Sequence, residues 1–187
     1  MAELHDAAAL GRVITDHTRH SGADVFRMEL LPAYAVLSDG DDYWRWLDGA
    51  PEPGWERKAL TTDRLRERVA TGVTSRRVRV LSAELTNYER YACDWGYAIN
   101  APAGEDIRIL HRGEHDVPPL LGFDYWLLNG QTVLRMHYDD LGAFVGAEDA
   151  PSLLSQVRRE HDILWTAAEP FSPWWARHAE LGRRLVA

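Results

Sequence analysis

Three short stretches carry side chains able to do acid-base or anion chemistry: AGEDIRILHR at 103–112, RMHYDD at 135–140 and RRVRVL at 76–81. Imidazole exchanges a proton near neutral pH, so His137 is the candidate general acid or base, with Asp106 or Asp139 as the carboxylate that orients it. Arg108 and Arg135 would then hold an anionic substrate group, because guanidinium forks bind carboxylate and phosphate in two-point fashion. Arg27, Arg77 and Arg79 fall in alternating strand-like stretches and extend the set. Five arginines stand against Glu29, Asp106 and Asp124, a local positive excess in a chain whose formal net charge is -8. Such a face is expected to attract a small anionic ligand or an acidic segment of a partner protein, with Asp124 and Trp126 completing the lining. The plainer alternative is a solvated ladder of cross-strand charge pairs, each contributing about 0.2–1 kcal/mol. In that case Asp106 fills the turn after Gly104 and Arg108 neutralises it.

Other chemistries lack their residues. The single cysteine, Cys93, permits no internal disulfide and no thiolate zinc cage, and its place in a helical stretch suits an inert buried thiol. His137 and Asp139 share strand parity and could reach one divalent ion, but no third ligand lies near, so no metal and no cofactor are expected. Asp39, Asp41 and Asp42 have the wrong spacing for a calcium loop. Gly-rich phosphate loops and the nucleophile elbow are absent. The acidic balance speaks against direct nucleic-acid binding. With no basic-then-apolar leader and no long apolar run, the chain is expected to be cytoplasmic and free of membrane. Eight tryptophans, among them Trp126 and the pair Trp174 and Trp175, are read as core or helix anchors that could also roof an apolar cleft.

The elements that must position these groups follow from periodicity. A first amphipathic helix runs from about Leu4 to His17 and stops near Ser21 and Gly22. VFRMEL (25–30) alternates as a strand, placing Arg27 and Glu29 opposite Phe26 and Met28. The turn-rich stretch from Ser38 to Gly54 holds a short helix, and a second helix starts at a Thr61 or Thr62 cap and ends before Gly72. RRVRVL is a strand, Thr86 to Glu89 a capping box opening a Tyr- and Trp-striped helix, and DIRIL (106–110) a strand. Asn129 and Gly130 predict a two-residue hairpin turn, which sets Leu128 against Gln131, Trp126 against Val133, and Arg135 and His137 on the face of Asp124 and Trp126. A short strand in GAFVGAE (142–148) and two C-terminal helices, the second from Ser172 through Leu185, complete the chain. The expected architecture is α+β: a mostly antiparallel sheet of four to five strands, helices on one face, two C-terminal helices, and one domain over 1–187, with the core at 24–168 and the Trp-rich helix at 169–187.

The succession FRMEL, RRVRVLSAELTNYERY, AGEDIRILHR and FDYWLLNGQTVLRMHYDDLGAFVGAE resembles an actinobacterial family of unknown function, numbered six-eight-seven-nine, between about Phe26 and Trp165. The family brings no activity with it. What the resemblance implies is a regulatory role, since genes of the family often lie near helix-turn-helix regulators, which makes a transcriptional regulator a candidate partner. Residues and resemblance together lead to a regulatory or interaction protein that binds a small anionic ligand or a partner protein through the arginine face. The competing expectation is a small-molecule enzyme of specialised metabolism built on His137.

Overall fold

The computed structural model describes residues 4–35 and 39–182. Eight strands form one sheet in the order β1-β7-β6-β5-β2-β3-β4-β8. They are β1 (Leu4–His5), β2 (Asp24–Glu29), β3 (Thr74–Leu81), β4 (Glu105–His111), β5 (Tyr125–Leu128), β6 (Thr132–Tyr138), β7 (Phe144–Asp149) and β8 (Glu169–Pro170). The expected four to five strands are too few. β1 and β8 hold only two residues each, too short for any alternation to show in the sequence. The sheet is mostly antiparallel, as expected, but β2, β3 and β4 pair in parallel. Helical crossovers join these three strands, and a crossover returns the chain in the direction it left.

The helices are α1 (Ala7–His17), α2 (Asp42–Leu47), α3 (Trp55–Ala70), α4 (Asn87–Tyr91), α5 (Ala98–Asn100), α6 (Leu154–Ala167) and α7 (Phe171–Arg177), with a π-helical segment, Ala92–Tyr97, between α4 and α5. They cover both faces of the sheet, not one. On the front face α1 packs Ile14 against Val25, Leu128 and Leu134, while α2, α4 and α7 bring Trp46, Tyr91 and Trp174 onto Ile107 and Ile109. On the back, Val157 and Leu164 of α6 meet Phe26, Met28, Val78 and Tyr125. The edge strand β8 carries the chain round from α6 behind to α7 in front, pairing Glu169 with Ile109 on the way.

Several local signals act as the sequence indicates. Asp6 caps α1 by accepting from the Ala9 N–H at 2.7 Å. Thr86 and Glu89 form the full capping box of α4. α3, however, starts at Trp55 and not at a threonine cap, and the Thr62 hydroxyl instead donates back to the Ala59 carbonyl inside the helix. Gly104 takes φ +113°, and a Cβ there would stand 2.3 Å from a Val69 methyl, so glycine lets the turn before β4 press onto α3.

The hairpin turn departs from expectation by one residue. Asn129 and Gly130 do take positive φ, but the Gln131 N–H turns back to the Leu128 carbonyl, so the ladder begins at Leu128 with Thr132. Asn129 is held by β2: its side chain accepts from the Asp24 N–H, and its own N–H donates to the Asp24 carbonyl. A one-residue slip turns every side chain of the second strand over. Arg135 and His137 consequently face the back, while Trp126 and Asp124 face the front. Residues 183–187 of the expected last helix, Leu185 included, lie outside the described residues, and the described part of that helix ends at Arg177.

Candidate functional site

The centre of the front face is Glu29, at the end of β2. Arg27 and Arg77 each reach its carboxylate at 2.8 Å, and the Tyr97 hydroxyl donates to it at 3.0 Å. Strand alternation puts Arg27 beside Arg77 across the parallel β2–β3 pair, and Glu105 of β4 bridges Arg77 from the other side at 2.8 Å. Burial by itself would push the Glu29 carboxyl up, but the charges of Arg27, Arg77 and Arg79 and the Arg77 hydrogen bond outweigh it and hold it at about 2. Behind this layer Arg79 is fully buried, donating to the Tyr34 hydroxyl at 3.1 Å and standing 3.6 Å from Glu89. Asp124 is also buried and accepts from the Leu30 N–H and the Tyr34 hydroxyl.

In front of this network, α1 and α3 flank a cleft of about 810 Å3 with Arg27, Arg77 and Trp126 on its floor. Arg27 lies over the Trp126 ring, 5.2 Å from its centroid. Arg12 of α1 and Arg64 and Arg68 of α3 line the walls, and among the described residues none of these three has an ion pair with a carboxylate. Burial, then the neighbouring Arg64, push the Arg68 guanidinium below its usual range, with Glu105 opposing. This is an electrostatic site short of negative charge, in a chain that has an excess of it.

The floor continues inward to a smaller chamber of about 180 Å3, lined by Glu29, Asp39, Lys58, Tyr88, Tyr91 and Gly96 among others. Arg27, Thr61, Arg77 and Asn100 line both spaces. Burial pushes the Asp39 carboxyl up, with Lys58 and Tyr91 opposing.

Of the residues singled out by sequence, Arg27, Arg77 and Trp126 line the cleft, while Arg79 and Asp124 support it from behind. The others lie elsewhere. Asp106 and Arg108 pair with Arg76 and Val78 and so face the back. Arg108 donates to the Trp165 carbonyl at 2.9 Å and lies 4.0 Å from that ring's centroid, which makes it a docking residue for α6. Asp106 is exposed and only 3.9 Å from Arg108. His137 and Arg135, also on the back, are four strand positions from β4, about 19 Å at the usual inter-strand spacing. His137 bonds Glu148 at 3.0 Å, and Arg135 lies over the Phe123 ring. Asp139 accepts from the Leu141 and Ala143 N–H groups and builds the turn before β7. The expected acid-base grouping of His137 with Asp106 or Asp139, held by Arg108 and Arg135, is therefore not assembled. The single arginine face is divided between the two sides of the sheet.

Sequence alone does not single out the cleft's principal cations, Arg64 and Arg68, because the charged pattern of α3 resembles that of any solvated helix. Their three-residue spacings from Thr61 and Leu65, and their four-residue spacing from each other, are the available signal. Glu105 and Asp106 look equivalent as neighbours in sequence; strand parity buries the first and exposes the second.

No group of three or more metal-ligating side chains occurs among the described residues, and no helix there is long and apolar enough to cross a membrane. Compared with curated proteins and with solved structures, the chain has no match. The family model described as Domain of unknown function (DUF6879) matches residues 13–176, a wider span than Phe26 to Trp165, and takes in α3 and the whole floor of the cleft. The chain belongs to this family of unknown function.

Proposed function

We propose that the protein is a binding module of regulatory type that takes up a small anionic ligand in the cleft between α1 and α3. The observation that carries this reading is the trio Arg12, Arg64 and Arg68, which surround a cavity without carboxylate partners among the described residues. Guanidinium groups in a partly desolvated cleft are short of counter-charge, and a phosphate or carboxylate supplies it through charge-assisted hydrogen bonds. Arginines outnumber the two carboxylates of the cleft lining, Asp16 and Glu105, which favours the binding of an anion. A ligand gripped from α1 and α3 at once joins two helices that touch the sheet separately. That gives a partner protein, a transcriptional regulator among the candidates, two states to distinguish.

The test is thermal denaturation of the full chain with pyrophosphate and with small polycarboxylates. An anion present at about a hundred times its dissociation constant adds about 2.7 kcal/mol, which raises Tm by roughly 5–10 °C for a chain of this size. The Arg12→Ala/Arg64→Ala double variant should keep the ligand-free Tm, because both side chains are exposed, and lose the ligand-induced rise. No rise with any anion, or the same rise in the double variant, contradicts the reading.

A further inference from the structure

The outer cleft and the inner chamber are two ends of one groove, so a ligand that fills the whole groove rests on the anion-binding reading of its outer end. α3 supplies one wall of both: Lys58 and Thr61 line the chamber, Thr61, Arg64 and Arg68 the cleft. Ten residues separate Lys58 from Arg68 along a continuous helix, which sets the groove at about 15 Å long. Its ends differ in chemistry. The outer end presents guanidinium groups, while the inner end presents Tyr88, Tyr91 and the Asp39 carboxylate around a space with room for about six waters or one ring-sized group.

Three features of the chamber are left over by packing. Tyr91 is 2% exposed, and its hydroxyl stands beside Asp39 without completing a hydrogen bond to any of the described residues. The Arg27 Nε is likewise buried without a partner. The chain from Ala92 to Tyr97 widens into a π-helix, a deformation that recurs at functional sites, and it does so along this wall. There Gly96 lines the chamber, and a Cβ added to it would meet nothing within 4 Å. A flat ring bearing both N–H donors and ring acceptors answers these features. It can lie against the tyrosines, donate to Asp39 and accept from Tyr91 or Arg27. Thr61 and Asn100, midway along the groove, offer a hydroxyl and an amide to a polyhydroxylated linker.

We propose that the groove binds a nucleoside phosphate, with the phosphate between Arg64 and Arg68, the sugar beside Thr61 and Asn100, and the base in the chamber walled by Tyr88, Tyr91 and Asp39. Calorimetry on the full chain tests this with the four common ribonucleoside monophosphates, ribose 5-phosphate and pyrophosphate. At least one nucleotide is expected to bind about tenfold or more tightly than ribose 5-phosphate, the increment typical of seating a base against aromatic rings. Gly96→Leu fills the chamber from a wall with open space before it. It should abolish that preference while leaving ribose 5-phosphate and pyrophosphate within about twofold of their wild-type affinities, since the arginines are untouched. Equal binding of nucleotides and ribose 5-phosphate by the wild type overturns the proposal and leaves the anion site standing. So does a Gly96→Leu protein, shown folded by circular dichroism, that keeps the nucleotide preference. If pyrophosphate fails to bind the wild type at all, both readings fall together.

Discussion

At the scale of single residues, the site depends on Glu29 remaining ionised. Its carboxylate is nearly inaccessible to solvent, yet two guanidinium groups and a phenol converge on it, so it fixes Arg27 and Arg77 as the cleft floor. Glu29→Gln removes the charge and leaves two arginines facing each other, a loss expected to cost about 3 kcal/mol at neutral pH. The pH dependence has a definite sign. The folded-state value of about 2 lies below the unfolded value of 4.5, so this stabilisation is fully present above about pH 4.5 and is lost as pH falls toward 2. Urea titrations of the wild type and the variant across that range should show their stability difference shrinking with acid. A difference that stays constant down to pH 2 contradicts the assignment. The alternation of Arg27, Glu29, Arg77 and Arg79 could be read from the sequence, because period two in a strand needs only local information. Their burial could not, since it depends on α2, α3 and α4 closing over the face from distant parts of the chain.

At the scale of elements, parity is inherited from the turn. The Asn129 and Gly130 pair is a sound hairpin signal, but nothing local announces that Gln131 stays outside the ladder, because the deciding contacts are those of Asn129 with β2. That one residue sends Arg135 and His137 to the back of the sheet. The parallel arrangement of β2, β3 and β4 is available in the alternation of strand and helix patterns, whereas the two-residue edge strands are not. Arg108 illustrates the consequence for function. From its sequence pattern, Arg108→Ala is expected to abolish partner or ligand retention with little loss of fold; the contacts of Arg108 with Trp165 indicate the reverse. Removing a charge-assisted bond to the last turn of α6 together with the stack on the indole should cost about 2 kcal/mol of stability. Anion affinity should be unchanged. Denaturation and pyrophosphate titration of the same preparation separate the two outcomes, and lost binding at full stability would restore the back face as a site.

At the scale of the whole molecule, the chain carries a net charge of -8 and gathers uncompensated arginines into one cleft. Long-range repulsion of anions by the acidic surface is screened over about 8 Å at physiological salt, whereas the guanidinium groups lining the cleft, the half-buried Arg68 among them, act at contact. Binding is therefore expected to survive moderate ionic strength. The α+β class, most of the strands and the family resemblance are legible in the sequence. The location of the cleft is not, because it lies between two helices that come to the same face only when the sheet is assembled.

The central claim is that anions enter between α1 and α3 and not on the back of the sheet. Nuclear magnetic resonance of the arginine Nε–Hε groups during a pyrophosphate titration tests it at the residues concerned. The account predicts shifts at Arg12, Arg64 and Arg68 that saturate together, with Arg108 and Arg135 unmoved. Saturable shifts at Arg108 or Arg135, or a silent trio in the cleft, would contradict it.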